Sequence, residues 1–176
     1  MPPVLQQPHP PLWMTANFDP EHFRWIGRQG LNLMTLPWLL PSFDRSRELI
    51  ACWREGLHEA RHDPAKHEVM AHFPVFVAPS VKDARAAADN HWATMVEASV
   101  GERGGEILKT LTYDALVESH RGVFGDPAAC RDHVAYIQEQ LGLTHFSCTI
   151  HFGGLPQHHV LSSMRLFAEE VAPAFC

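Results

Sequence analysis

The chain opens on Pro2, Pro3, Pro8, Pro10 and Pro11, which remove backbone donors and hold extended geometry, so the first regular element is expected as a strand over residues 12–16. Asp19 and Pro20 then make an N-cap and first-turn pair for a helix ending at Gly30. The apolar run 31–36, bounded by Pro37, has the length of a strand. Ser42 caps a longer helix that carries Leu49, Ile50, Trp53 and Leu57 on one stripe, and Pro64 stops it before a β-rich run at 74–78. Ser80 with Asp83 starts an Ala-rich helix through about Met95. Gly101, Gly104 and Gly105 break that pattern into a stretch reaching Gly125, with a short helix expected at about 107–119.

Asp126 and Pro127 open the next helix, with Cys130, Val134, Ile137 and Leu141 at helical spacing and Gly142 as a left-handed terminator. The fourth strand is expected at 145–152. Its alternation sets Phe146, Cys148, Ile150 and Phe152 on one face and His145, Ser147, Thr149 and His151 on the other. Gly153, Gly154 and Pro156 turn the chain into a last helix that packs through Val160, Leu161, Met164, Phe167, Ala168 and Val171. Strands alternating with helices imply βα units and a parallel sheet, because parallel neighbours require crossover connections.

At 176 residues the chain has room for one domain and one core. A hydrophobic share of 45% against 19% charged residues suits a packed interior. The net charge of −6, without a dense basic run, argues against nucleic acid as a partner. No apolar run approaches the roughly 20 residues needed to cross a bilayer, and the N-terminal segment has no basic region followed by an apolar one. A cytoplasmic protein is expected. Cys52, Cys130, Cys148 and Cys176 are widely spread and read as reduced thiols.

Four ordered blocks, PHPPLWMTAN, RWIGRQGLNLMTLPWLL, GVFGDPAACRDHVAYIQEQLGLTHFSCTIHFGG and SMRLFAEEVAPAF, resemble the carboxyl half of bacterial luciferase-like flavin-dependent monooxygenases, LFAEEVAP being the most distinctive segment. The resemblance implies an α/β fold of TIM-barrel type: a single luciferase-like domain over residues 1–176, a partial barrel corresponding to strands five to eight, with the amino-terminal half absent. A full barrel takes about 250 residues. The implied activity is that of a monooxygenase that takes reduced FMN as co-substrate and inserts one oxygen atom from O2 into a small organic substrate. The alternative is an inactive remnant or interaction subunit of such an enzyme. Four barrel strands leave two open edges, so a homo-oligomer or a partner chain covering them is expected.

In such a barrel the chemistry sits at the carboxyl ends of the strands. The resemblance therefore nominates Ala16, Asn17, Thr35, Pro37 and Trp38 as cofactor-binding residues, with Trp38 against the reduced flavin; a packed tryptophan is the competing reading. Further strand-end candidates are residues 78–80 and 151–154, where His151 is expected to face the interior and the Gly153–Gly154 pair reads as a turn. At Asn17-Phe18-Asp19-Pro20 the family's phosphate-binding hydroxyls are missing, and Asp19 would repel a phosphate. No catalytic residue is named. His58-Glu59-Ala60-Arg61-His62 spells the zinc-protease pattern HExxH, but Asp63 and Pro64 should end the helix at the second histidine, so no metal is assigned. Residues 99–125 read equally as a lid or as a surface loop.

Overall fold

The computed structural model describes residues 10–100 and 111–175. Among them five strands, β1 (Trp13–Thr15), β2 (Asn32–Thr35), β3 (Val69–Val77), β4 (Val123–Gly125) and β5 (His145–Thr149), are all parallel. Among the described residues six α-helices accompany them: α1 (Pro20–Arg28), α2 (Phe43–Glu59), α3 (Val81–Val100), α4 (Tyr113–Glu118), α5 (Pro127–Leu141) and α6 (Gln157–Leu166). The last helix runs on through Phe167–Val171 and Ala172–Ala174 in altered winding.

The longest strand, β3, organises the sheet. Its first residues pair with β2 on one side and β5 on the other, giving the order β1-β2-β3-β5. Val75, Phe76 and Val77 extend beyond both neighbours and pair with β4. Two sequence expectations are corrected here. The strand at 74–78 begins at Val69, because Met70 and His72 face an inner surface that does not need apolar side chains, which blurs the β signal. The segment up to Gly125 hides β4, whose three residues are too few to show a period.

Partners in parallel register point to the same face. Leu33, Val69, Ala71, Phe73 and Phe146 therefore share the side covered by the helices, and all but the half-buried Phe146 are almost solvent-free. Trp13, Met34, Met70, His72, Ser147 and Thr149 share the other, which is partly open. That second face is concave. β1 and β5 are separated by two strands, yet the Trp13 and His145 rings meet edge to face at 5.3 Å between centroids. A parallel sheet curled about its inner face, with a helix after each strand, is part of a (β/α) barrel.

Caps fall where the sequence places them: the side chains of Asp19, Ser42 and Asp126 accept backbone N–H bonds at the starts of α1, α2 and α5, and Gly142 closes α5 at φ +60°. The α1–α2 contact is unusually close, and Arg24 and Arg28 bridge it to Glu55 and Glu59 at the exposed margin. Arg54 of α2 donates from Nη2 to the carbonyls of Leu141 and Gly142, using the carbonyls left over at the end of α5 to tie the two helices.

Candidate functional site at the carboxyl ends of the strands

The carboxyl ends of the strands meet a second apolar cluster, distinct from the core under the helices. Phe76 closes β3, Phe124 lies in β4, and Phe152 follows β5. Around them stand Trp92 from α3 and Tyr113 from α4. Trp92 is 1% exposed, sits 5.5 Å from Phe152 and 5.9 Å from Phe124, and donates from Nε1 to the carbonyl of Leu111 at 2.6 Å.

Trp38 rests edge-on against Trp92 at 5.5 Å and stays half-buried. One edge of Trp38 is held by the cluster, as a packed aromatic would be, while the ring is partly open. Pro37 beneath it is buried, and Ala16 is 3% exposed. Asn17 accepts the Leu36 amide on Oδ1 at 3.0 Å, which latches the ends of β1 and β2 together and leaves its Nδ2 to donate elsewhere. Thr35 is 1% exposed on the helix-covered side, where its hydroxyl has no partner among the described residues. A ligand reaches that hydroxyl only if the packing around it opens.

β5 ends at Thr149, and His151 lies two residues beyond it, exposed. Gly153 and Gly154 form a turn with φ +54° and +73°, tied to α3 by a 2.8 Å contact between His91 Nδ1 and the Gly153 carbonyl. The start of α1 holds no free phosphate cradle, because Asp19 already occupies the Glu21 amide. Ala78 and Pro79 line a cleft of about 350 Å³ between β3, α3 and α6, walled also by Asp83, His159 and Ser162. None of the five nominated cofactor residues lines it.

The HExxH pattern dissolves earlier than the sequence suggested. α2 ends at Glu59 and Arg61 takes φ +61°, so the two imidazoles share no helical face. His58 is exposed, Glu59 is paired with Arg28, and His62 bonds the Arg28 carbonyl. Among the described residues no three His, Cys, Asp or Glu side chains converge on a metal position. Residues 101–110 of the lid-or-loop segment lie outside the described residues. Of the helix expected at 107–119, the described residues show Tyr113–Glu118; Tyr113 and Leu116 within it and Leu111 before it are buried.

The sequence reading missed one polar constellation. On the concave face His72 Nδ1 lies 2.9 Å from Ser147 Oγ, and Nε2 lies 2.5 Å from Thr149 Oγ1. Burial pushes the imidazole below its usual pKa, so it is neutral at neutral pH, donating through one nitrogen and accepting at the other. The available signal was a lone histidine at an inward register position of an otherwise apolar strand.

A family profile described as luciferase-like monooxygenase matches residues 2–145. The chain belongs to the luciferase-like monooxygenase family. The closing segment LFAEEVAP lies beyond the matched span. Solved structures agree on the fold: the monooxygenase RslO1 from Streptomyces bottropensis superposes with TM-score 0.76 at 21% identity, over 100% of this chain and 51% of that one. The FMN-bound oxygenating constituent of 3,6-diketocamphane monooxygenase from Pseudomonas putida gives 0.67 at 16%, over 95% and 49%. The coenzyme F420-dependent tetrahydromethanopterin reductase from Methanopyrus kandleri gives 0.67 at 17%, over 94% and 51%. This luciferase-like chain therefore spans about half the length of these structures, and its strands form a partial barrel of their type. No curated protein sequence matches it significantly. No described helix is long and apolar enough to cross a membrane.

Proposed function

We propose that this chain supplies the carboxyl-terminal half of the active site of a flavin-dependent monooxygenase, an oxidoreductase that uses reduced FMN as co-substrate to place one oxygen atom from O2 into a small organic substrate. Family membership supports the reaction class, and the half-open Trp38 at the end of β2 carries the cofactor assignment. Pro37 and Trp38 give an apolar wall for a planar ring system, and Asn17, held through Oδ1 to the nearby Leu36 amide, keeps Nδ2 as a donor, while Ala16 is buried in the core at the end of β1. Bound flavin would supply the reaction with oxygen; the chain's own part is to orient the ring and shield it from water.

The test is an anaerobic titration with reduced FMN, read by quenching of Trp38 fluorescence as the difference between the parent chain and Trp38→Phe. Half of a ligand shell gives about half of a binding free energy, which turns a micromolar Kd into roughly a millimolar one. A Trp38-dependent quench saturating near that concentration is expected for the half-barrel alone. Saturation at low micromolar concentration would show that an assembly completes the site. No Trp38-dependent signal overturns the assignment. The F420-dependent neighbours make reduced F420 the parallel ligand, and binding of F420 alone would replace FMN in this reading.

A further inference from the structure

We propose that Arg121 is a positioning residue for the Trp38 wall: its buried guanidinium fixes, from behind, the turn that carries Trp38 and so sets the tilt of the ring against which a flavin would lie. The inference rests on the cofactor reading of Trp38. Trp38 stands in the middle of a short 3-10 turn, Pro37–Leu39, closed by the Leu40 amide donating to the Pro37 carbonyl at 3.1 Å. A single turn of this kind makes few bonds of its own, so its direction is set from outside. In front, the Leu36 amide donates to Asn17 Oδ1 at 3.0 Å. Behind, Arg121 Nη1 donates to the Leu40 carbonyl across 81 positions of the chain. The ring itself meets Trp92 edge-on at 5.5 Å between centroids.

Arg121 is 2% exposed. Burying a charge costs more than burying an apolar side chain of similar volume, so the guanidinium adds what a methionine could not, namely donors with fixed directions. Nε donates to Ser119 Oγ at 2.8 Å, and that hydroxyl donates in turn to the Ala115 carbonyl of α4. One planar group therefore spans from α4 to the Trp38 turn. The backbone is bent to deliver it. His120 takes φ +56°, which residues with a Cβ rarely adopt, and the Arg121 and Gly122 amides then both reach the Leu116 carbonyl, at 2.8 and 3.1 Å. Backbone strain of this kind persists where the surroundings over-determine it. The same segment supplies the Leu111 carbonyl that holds Trp92 through Nε1. Residues 111–121 thus grip the wall twice, through the ring behind Trp38 and through the backbone beside it.

The experiment labels the full chain with fluorotryptophan and reads its five indoles by fluorine NMR, Trp38 being assigned by its loss in Trp38→Phe. In Arg121→Met, which keeps the bulk and removes the donors, the Trp38 resonance is expected to shift and broaden while those of Trp13, Trp25 and Trp53 stay in place. Ser119→Ala, which releases only Nε, should move Trp38 the same way by less, and it decides the matter if Arg121→Met fails to fold. In the anaerobic titration Arg121→Met should weaken the reduced-FMN Kd about fivefold, the scale of re-ordering one side chain on binding. A Trp38 resonance unmoved in the folded variant overturns the proposal. So does a shift shared by all five indoles, which reports a general loss of packing, or a moved Trp38 with an unchanged Kd. A parent chain with no Trp38-dependent flavin signal is a separate failure: it removes the cofactor reading, while the resonances still report whether Arg121 holds the turn.

Discussion

The backbone carbonyl oxygen of His91 lies 1.6 Å from where a Cβ on Gly153 would stand, while the His91 imidazole Nδ1 comes within 2.8 Å of the Gly153 carbonyl. α3 and the turn after β5 are thus interlocked at a residue that tolerates both φ +54° and contact with backbone. The neighbouring Gly154, at φ +73°, has open space around it.

Gly153→Ala should therefore destabilise the fold by more than 2 kcal/mol, roughly, since backbone must move, while Gly154→Ala should cost about 1 kcal/mol of left-handed strain. Thermal unfolding of the two variants checks this. Equal losses would mean that the α3 contact is not formed.

At the α1–α2 crossing, a Cβ on Gly27 would lie 2.1 Å from the Trp53 carbonyl oxygen, and one on Gly56 would lie 2.1 Å from that of Arg24. Alanine is favoured over glycine by about 1 kcal/mol inside a helix, so propensity and packing predict opposite signs. Packing should win: Gly27→Ala and Gly56→Ala both lower the urea midpoint. A raised midpoint in either variant would refute the close crossing.

Burial is the main force lowering the pKa of His67, His72, His120 and His133, with a neighbouring histidine adding to it for His67 and His120. The unfolded chain then binds protons before the folded one as pH falls through about 6.5. Stability is fully present above that pH and declines below it. Urea unfolding at pH 7.5 and 5.5 should show the lower midpoint at 5.5, and His133→Gln should reduce the difference. A midpoint that holds or rises at 5.5 would contradict this.

Burial pushes the Cys130 thiol up to about 12 and raises Cys148 as well. Thiolate is the reactive form, so at pH 8 a thiol reagent should leave Cys130 unmodified in the native chain and label it on unfolding. Peptide mass mapping after short exposure decides the point. Early labelling of Cys130 would mean that α5 opens readily from the sheet.

The sequence by itself determined the alternation of strands and helices, the caps at Asp19, Ser42, Asp126 and Gly142, and the family, because caps, periodicity and ordered motifs are local properties of the chain. It also placed Phe146 and Cys148 on the core side of β5 and His145, Ser147 and Thr149 opposite, since alternation sets faces directly. Tertiary structure decided the rest. β4 exists because Val75–Val77 outruns its neighbours and needs a pairing partner. The His72 contacts to Ser147 and Thr149 join residues 75 and 77 positions apart through strand register. His151 lies beyond β5, whose pairing with β3 ends at Thr149. Trp38 could be nominated from its motif, but only the packing of α3 put Trp92 behind it and left its ring half open, for the contact depends on where a distant helix crosses the sheet.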